Sequence, residues 1–197
     1  MVITAGQIEA FVGHHTFDSD RAAQLEEAGR RYRYLSRDEL LGALAPDGDE
    51  VVADLGSGTG FYTDDIAPHV GGVHAVDIQE QMHEFYREKG VPENVSLVTS
   101  GIADLPFEPG ALDAAVSTMT YHEFASDEAL AELTRVLADG GRFVVADWRA
   151  GGNGEAGPPL DERYSATAAA DALAAAGFER RREETRPETF LLVVQAR

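Results

Sequence analysis

An open α/β sheet, Rossmann-like, seven-stranded and mostly parallel, with helices on both faces and its last strand antiparallel, is the fold this sequence predicts. Three observations carry that reading. From Val51 onward, short apolar runs alternate with helical patterns of about ten to fifteen residues, as parallel strands joined by right-handed crossovers do. The first run, VVADL, passes through glycines at 56, 58 and 60 into a helical pattern. At the C-terminus, FERRREETR and TFLLVVQAR stand close enough to form a hairpin, which ends the sheet in an antiparallel pair.

The elements follow in order. Between Asp18 and Ala45, apolar residues at helical spacing (Leu25, Ala28, Tyr32, Leu35, Leu40, Leu41, Leu44) predict two helices, and Ser36 followed by Glu39 forms a capping box opening the second. Residues 1–45 read as an N-terminal helical lid and 46–197 as the sheet domain, one compact unit overall. The strands VVADL, GVHAVD, VSLVTS, ALDAAVST and RFVVADW are separated by the helical stretches FYTDDIAPHV, QEQMHEFYREKG and DEALAELTRVLADGG. RAGGNGEAGPPLDER is too polar and too rich in Gly and Pro for core and predicts a mobile loop. A helix from Ala166 to Ala176 is then stopped by Gly177.

Composition bounds the function. A 197-residue chain that is 44% hydrophobic supports one domain with a real core. It has no apolar run of about 18 residues and no basic-then-apolar leader, so a cytoplasmic protein away from membranes is expected. Without cysteine there is no thiolate metal site and no thiol nucleophile. The net charge of -19 disfavours nucleic acid as a partner. Lys89 is the single lysine beside fifteen arginines, a balance that reads as a halophilic, acidic surface adapted to high salt.

The glycine loop narrows the ligand. A dinucleotide fold wants G-x-G-x-x-G, whereas Gly56, Gly58 and Gly60 are followed by Phe61. Asp54, at the end of the first strand, would oppose a pyrophosphate on the following helix but suits a ligand with a positive amine. Asp77 ends the second strand, where a carboxylate accepts both hydroxyls of a ribose. After the third strand, Asp104 can accept from an adenine amino group and Ala103 can offer backbone. Ser117 to His122 fall at the carboxyl edge of the sheet, where open α/β sheets hold ligands.

These segments together resemble the class I S-adenosylmethionine-dependent methyltransferases. DLGSGTG is similar to the family's first motif, VHAVDIQ to its second-strand acid, IADLPF to its adenine motif and LDAAVSTMTYHEF to its fourth-strand motif; LTRVLADGGRFVVADW matches the helix and fifth strand. The resemblance spans Val51 to about Trp148. It implies that S-adenosyl-L-methionine is held by Asp54, Gly56 and Gly58 at its methionine part and by Asp77 at its ribose. Ile78 and Met82 would lie against the adenine, Asp104 and Ala103 at its edge, with Ser57, Gly60 and Ser117 completing the wall. Gly60 has the alternative of merely allowing close helix packing, and Ile78 and Met82 that of ordinary core.

Methyl transfer from a sulfonium is an in-line displacement in which orientation alone supplies about 7–11 kcal/mol. A base is needed only when the nucleophile carries a proton; His122 and Tyr121 are the candidates, with shaping the methionine pocket as their alternative. In the GHHTF segment, adjacent His14 and His15 point opposite ways on an extended chain with no third ligand at metal spacing, so no metal is expected. Phe17, Tyr32 and Tyr34 read as a lid over the cofactor, a disordered arm being the alternative. The chain is similar to the small stand-alone members that include the quinone-biosynthesis C-methyltransferases. No motif names the acceptor. The expected activity is methyl transfer to a small molecule by a monomer or homodimer; a cofactor-binding partner protein without catalysis and an NAD-type oxidoreductase are the competing classes.

Overall fold

Val52 and Val144 project to one side of the sheet while Ala53 and Phe143 project to the other, and both sides are buried. This is why VVADL and RFVVADW are nearly continuous apolar runs: a strand covered on both faces has no polar alternate positions. The computed structural model describes residues 19–197. Its strands are β1 (Val51–Leu55), β2 (Gly72–Asp77), β3 (Val95–Thr99), β4 (Leu112–Thr118), β5 (Leu137–Trp148), β6 (Phe178–Thr185) and β7 (Thr189–Ala196). They form one sheet in the order β3-β2-β1-β4-β5-β7-β6. β7 runs antiparallel to β5 and β6, and the remaining pairs are parallel.

Helices α1 (Ala28–Arg31) and α2 (Arg37–Leu44) precede β1, and α3 (Phe61–Ile66) and α4 (Glu80–Lys89) follow β1 and β2. Leu40, Leu44, Tyr62, Ile66 and Tyr86 from α2, α3 and α4 fill one core. The other is filled by α5 (Tyr121–Phe124), α6 (Asp127–Val136) and α7 (Ala166–Ala175), through Tyr121, Leu130, Leu133 and Leu173. The Ser36–Glu39 capping box forms: Ser36 N–H donates to Glu39 Oε2 at 2.9 Å and Glu39 N–H to Ser36 Oγ at 3.3 Å.

Three sequence expectations change. The first N-terminal helix is split into a 3₁₀ segment, Ser19–Glu26, and the four-residue α1, because Glu27 is extended (φ -74, ψ 90). The helix expected to run through DEALAELTRVLADGG ends at Val136, because Leu137 already pairs with Leu112 in the sheet. Residues 138–141 bulge out before Arg142 pairs with Ala114, a detour that Gly140 permits with φ +78 and that Gln195 closes by donating to the Gly140 carbonyl at 2.7 Å.

The loop after Trp148, expected to be mobile, is tied down from inside. Buried Arg163 donates through Nε to Pro158 O at 2.9 Å and through Nη2 to Ala156 O, with Nη1 3.6 Å from Glu188. Glu188, also buried, accepts from Asn153 N–H at 2.6 Å. Gly157 (φ +82) lies against Trp148, whose ring is 2.4 Å from where a Cβ would stand. His14, His15 and Phe17 lie outside the described residues. No helix among the described residues is long and apolar enough to cross a membrane.

Strand order reverses between β1 and β4, and in such sheets the crevice beyond the carboxyl ends of the diverging strands is where a ligand fits.

Candidate functional site

At that crevice β1 ends in Leu55 and β4 in Thr118, and their extensions, Gly56 and Thr120, meet. A Cβ on Gly56 (φ +77) would stand 2.3 Å from the Thr120 methyl, so only glycine lets the two turns close. Met119, between them, holds a left-handed backbone (φ +61) fixed by its N–H donating to Ala146 O at 2.7 Å. The loop is tied to β2 as well: Gly56 and Ser57 N–H donate to Val76 O at 2.8 and 2.9 Å. Asp77 accepts from Gly58 N–H through Oδ2 at 2.8 Å and from Gln79 N–H through Oδ1 at 2.9 Å.

A cavity of about 490 Å³ opens from this junction. Of the cofactor residues read from the sequence, Gly56, Ser57, Gly58, Asp77, Ile78 and Met82 line it. Ile78 is 51% exposed although large and apolar, so it is wall and not core. The others fall elsewhere. Gly60 (φ +81) faces Tyr86, whose ring is 2.1 Å from an added Cβ; it makes room for α4 and does not border the cavity. Ala103 and Asp104 are exposed outside it, and Ser100, Gly101 and Ile102 supply that wall. Ser117 is fully buried inside β4, and Thr118, Met119 and Thr120 replace it at the edge.

Asp54 also sits one layer down. It is 1% exposed, and its Oδ2 accepts from Thr63 Oγ1 at 2.6 Å while Oδ1 has no hydrogen-bond partner among the described residues. Burial pushes its carboxyl up to about 6, against the Thr63 hydrogen bond and the charge of Arg31, with Asp77 adding to the rise. Arg31 does line the cavity. Its guanidinium lies over the rings of Tyr62 (4.8 Å) and Phe61 (5.6 Å), and burial lowers its pKa. Arg31 Nε and Ser57 Oγ are both buried without a hydrogen-bond partner among the described residues. A part-buried cation with an unpartnered Nε and a buried hydroxyl, both lining the cavity, are a donor set for a carboxylate-bearing ligand head.

The other end of the cavity is built around His122. Its backbone N–H donates to Asp147 Oδ2 at 2.7 Å and its Nδ1 lies 3.0 Å from both Asp147 oxygens. Asp147, 1% exposed, is held by Trp148 N–H at 2.7 Å. With Nδ1 engaged, Nε2 is the ring nitrogen left for the cavity, 3.9 Å from Glu123 Oε1. Burial alone would lower His122, but the hydrogen bond and charge of Asp147, with Glu123 and Glu162, hold it above its ordinary value. Burial pushes Glu123 up to about 7 despite His122. Tyr121 is corrected: its ring is fully buried between Phe124 and Tyr164, centroids 5.6 Å from each, and does not border the cavity.

Sequence reading missed Asp147 and Arg31. Asp147 stands in the apolar run FVVADW, where an acid at a covered position is costly without a partner; that cost was the available signal. Arg31 belongs to a row of N-terminal arginines and nothing local separates it from Arg30 or Arg33.

A family model described as a methyltransferase domain matches residues 53–145. A demethylmenaquinone methyltransferase of Clavibacter sepedonicus is 30% identical over 145 residues, 73% of this chain and 58% of that protein. An uncharacterized methyltransferase-like protein of Schizosaccharomyces pombe is 30% identical over 129 residues, 65% of this chain and 49% of that protein. The chain thus spans about half to three-fifths of the length of these curated relatives. Among solved structures, a SAM-dependent methyltransferase from Aquifex aeolicus superposes with a TM-score of 0.84 at 26% identity, covering 92% of this chain and 100% of that one.

Proposed function

The chain belongs to the class I S-adenosylmethionine-dependent methyltransferases, and from that premise we propose that it transfers a methyl group from S-adenosyl-L-methionine to a small-molecule acceptor. The observation that carries this is one cavity reaching from Gly58 and Asp77 to His122. Each end has a job.

At the cofactor end, Asp77 is the partner for ribose hydroxyls, since a carboxylate taking one N–H on each oxygen still has acceptor capacity. Ile78 and Met82 would flank the base, and Arg31 with Ser57 would take the carboxylate of the methionine head. Asp54 sets the potential from beneath and holds Thr63. When bound, the cofactor supplies an electrophilic methyl group on a sulfonium. Gln24, Leu25 and Tyr34 cover the cavity from the N-terminal segment, which supports reading 1–45 as a lid.

At the acceptor end, His122 Nε2 is the group placed to take a proton, and Asp147 fixes the ring so that Nε2 and not Nδ1 faces the acceptor. Covered walls exclude water from an electrophile that water would consume.

Calorimetry at molar salt, with S-adenosylmethionine and NAD titrated separately, tests the reading. Binding of S-adenosylmethionine without NAD is expected. Binding of NAD alone would return the chain to the oxidoreductases, and cofactor binding without label transfer to any acceptor would favour a non-catalytic partner.

A further inference from the structure

Resting on the methyl-transfer reading, we propose that the acceptor is a protonated amine, received by Glu123 and Glu162 and the ring of Phe124, and deprotonated by His122. Four observations converge on this. Acidic side chains reach His122 from three elements: Asp147 on β5 from behind, and Glu123 on α5 and Glu162 on the 3₁₀ turn Leu160–Glu162 from the cavity lining. Both arginines that line the cavity, Arg30 and Arg31, come instead from the N-terminal segment. The half-buried ring of Phe124 also lines the cavity, and an aromatic face attracts a cation. The His122 side chain is 8% exposed, so a charged acceptor there is largely out of water and its match to the wall decides binding.

An anionic acceptor would meet the carboxyl groups of Glu123 and Glu162. A neutral alcohol would bring no positive charge to these two carboxyl groups. An alkylammonium ionises at about 10.4 and imidazole at about 6.5 in isolation, and the same negative field raises both, so the field does not oppose the transfer between them. The step balances as follows. The ammonium gives one proton to His122 Nε2; the freed nitrogen lone pair forms the bond to the methyl carbon as the carbon–sulfur bond breaks, its electron pair going to sulfur. The product leaves as a methylammonium ion, and His122 returns its proton to water.

The test uses the full chain saturated with S-adenosylhomocysteine, titrated calorimetrically with 2-phenylethylamine, 2-phenylethanol and 3-phenylpropionate. The amine should bind at least about tenfold more tightly than either of the others, and Glu123→Gln should remove most of that preference. Incubated with S-adenosylmethionine, the amine should gain a methyl on nitrogen by mass spectrometry. Alcohol or carboxylate binding equal to that of the amine, no amine binding at millimolar concentration, or bound amine recovered unmethylated would overturn the amine assignment. Failure to bind S-adenosylhomocysteine at all would instead overturn the methyl-transfer reading beneath it.

Discussion

Replacing Gly60 with alanine separates a packing glycine from a ligand-binding one. Two costs add. The residue sits at φ +81, where an L side chain costs about 1–2 kcal/mol. The new Cβ would stand 2.1 Å from Tyr86 Cε1, and Tyr86 is buried with its hydroxyl donating to Asp64 Oδ1 at 2.6 Å, so the ring cannot swing clear without losing that bond; overpacking of this kind costs about 1–3 kcal/mol. Loss of a flexible glycine from the unfolded chain returns about 0.4–1 kcal/mol. The net is a destabilisation of about 1–5 kcal/mol, read from urea unfolding at molar salt. Adding Tyr86→Leu should recover the steric part and leave the backbone part, so the two changes will not be additive. Cofactor affinity of the folded fraction should be nearly unchanged. Destabilisation below about 0.5 kcal/mol with a large loss of cofactor affinity would refute the reasoning and put Gly60 on the cavity wall.

Asp77→Ala should weaken S-adenosylmethionine binding by about 1.5–3 kcal/mol in calorimetry, and unchanged affinity would remove the ribose assignment. Asp54, whose folded carboxyl is raised to about 6, keeps its proton in the folded chain after the unfolded chain has released it, so its contribution to stability is present at low pH and lost as pH rises through about 6. Denaturant titrations of the unliganded protein between about pH 4 and 7 should therefore show Asp54→Asn gaining on the parent with rising pH, by on the order of 3 kcal/mol at the top of the window; parallel profiles would contradict the burial argument. Arg163→Met leaves Glu188 buried without its cation, at about 3 kcal/mol or more, and should make residues 150–162 an early site of limited proteolysis; equal resistance would show that the loop is held by something else.

The sheet was readable because its signal is local and redundant: VVADL, GVHAVD and RFVVADW each carry a run that only a doubly covered strand explains. What escaped depended on pairing at a distance. Leu137 looks like the last turn of α6 until Leu112 stands opposite it, and helical spacing cannot report a strand partner 25 residues away. The site divides the same way. Gly56, Gly58 and Asp77 were legible because a turn glycine and a strand-end acid are constrained by their own neighbours. Asp104 and Ser117 were each placed near the cavity, yet residues beside them, Ile102 and Thr118, face it, since which side of a turn or strand looks inward is set by the register of the whole sheet. His122 was found without Asp147 because the pair is joined only where α5 packs back on β5.

Trp148 carries one consequence beyond the site itself. Its indole is touched by Tyr34 of the N-terminal segment (centroids 4.6 Å apart), lies against Gly157 of the loop after β5, and stacks beneath Arg163 at 5.4 Å. Two segments far apart in the chain therefore share one ring as their abutment. Moving either exposes more of the indole to water, so the free energies of displacing the two segments are coupled.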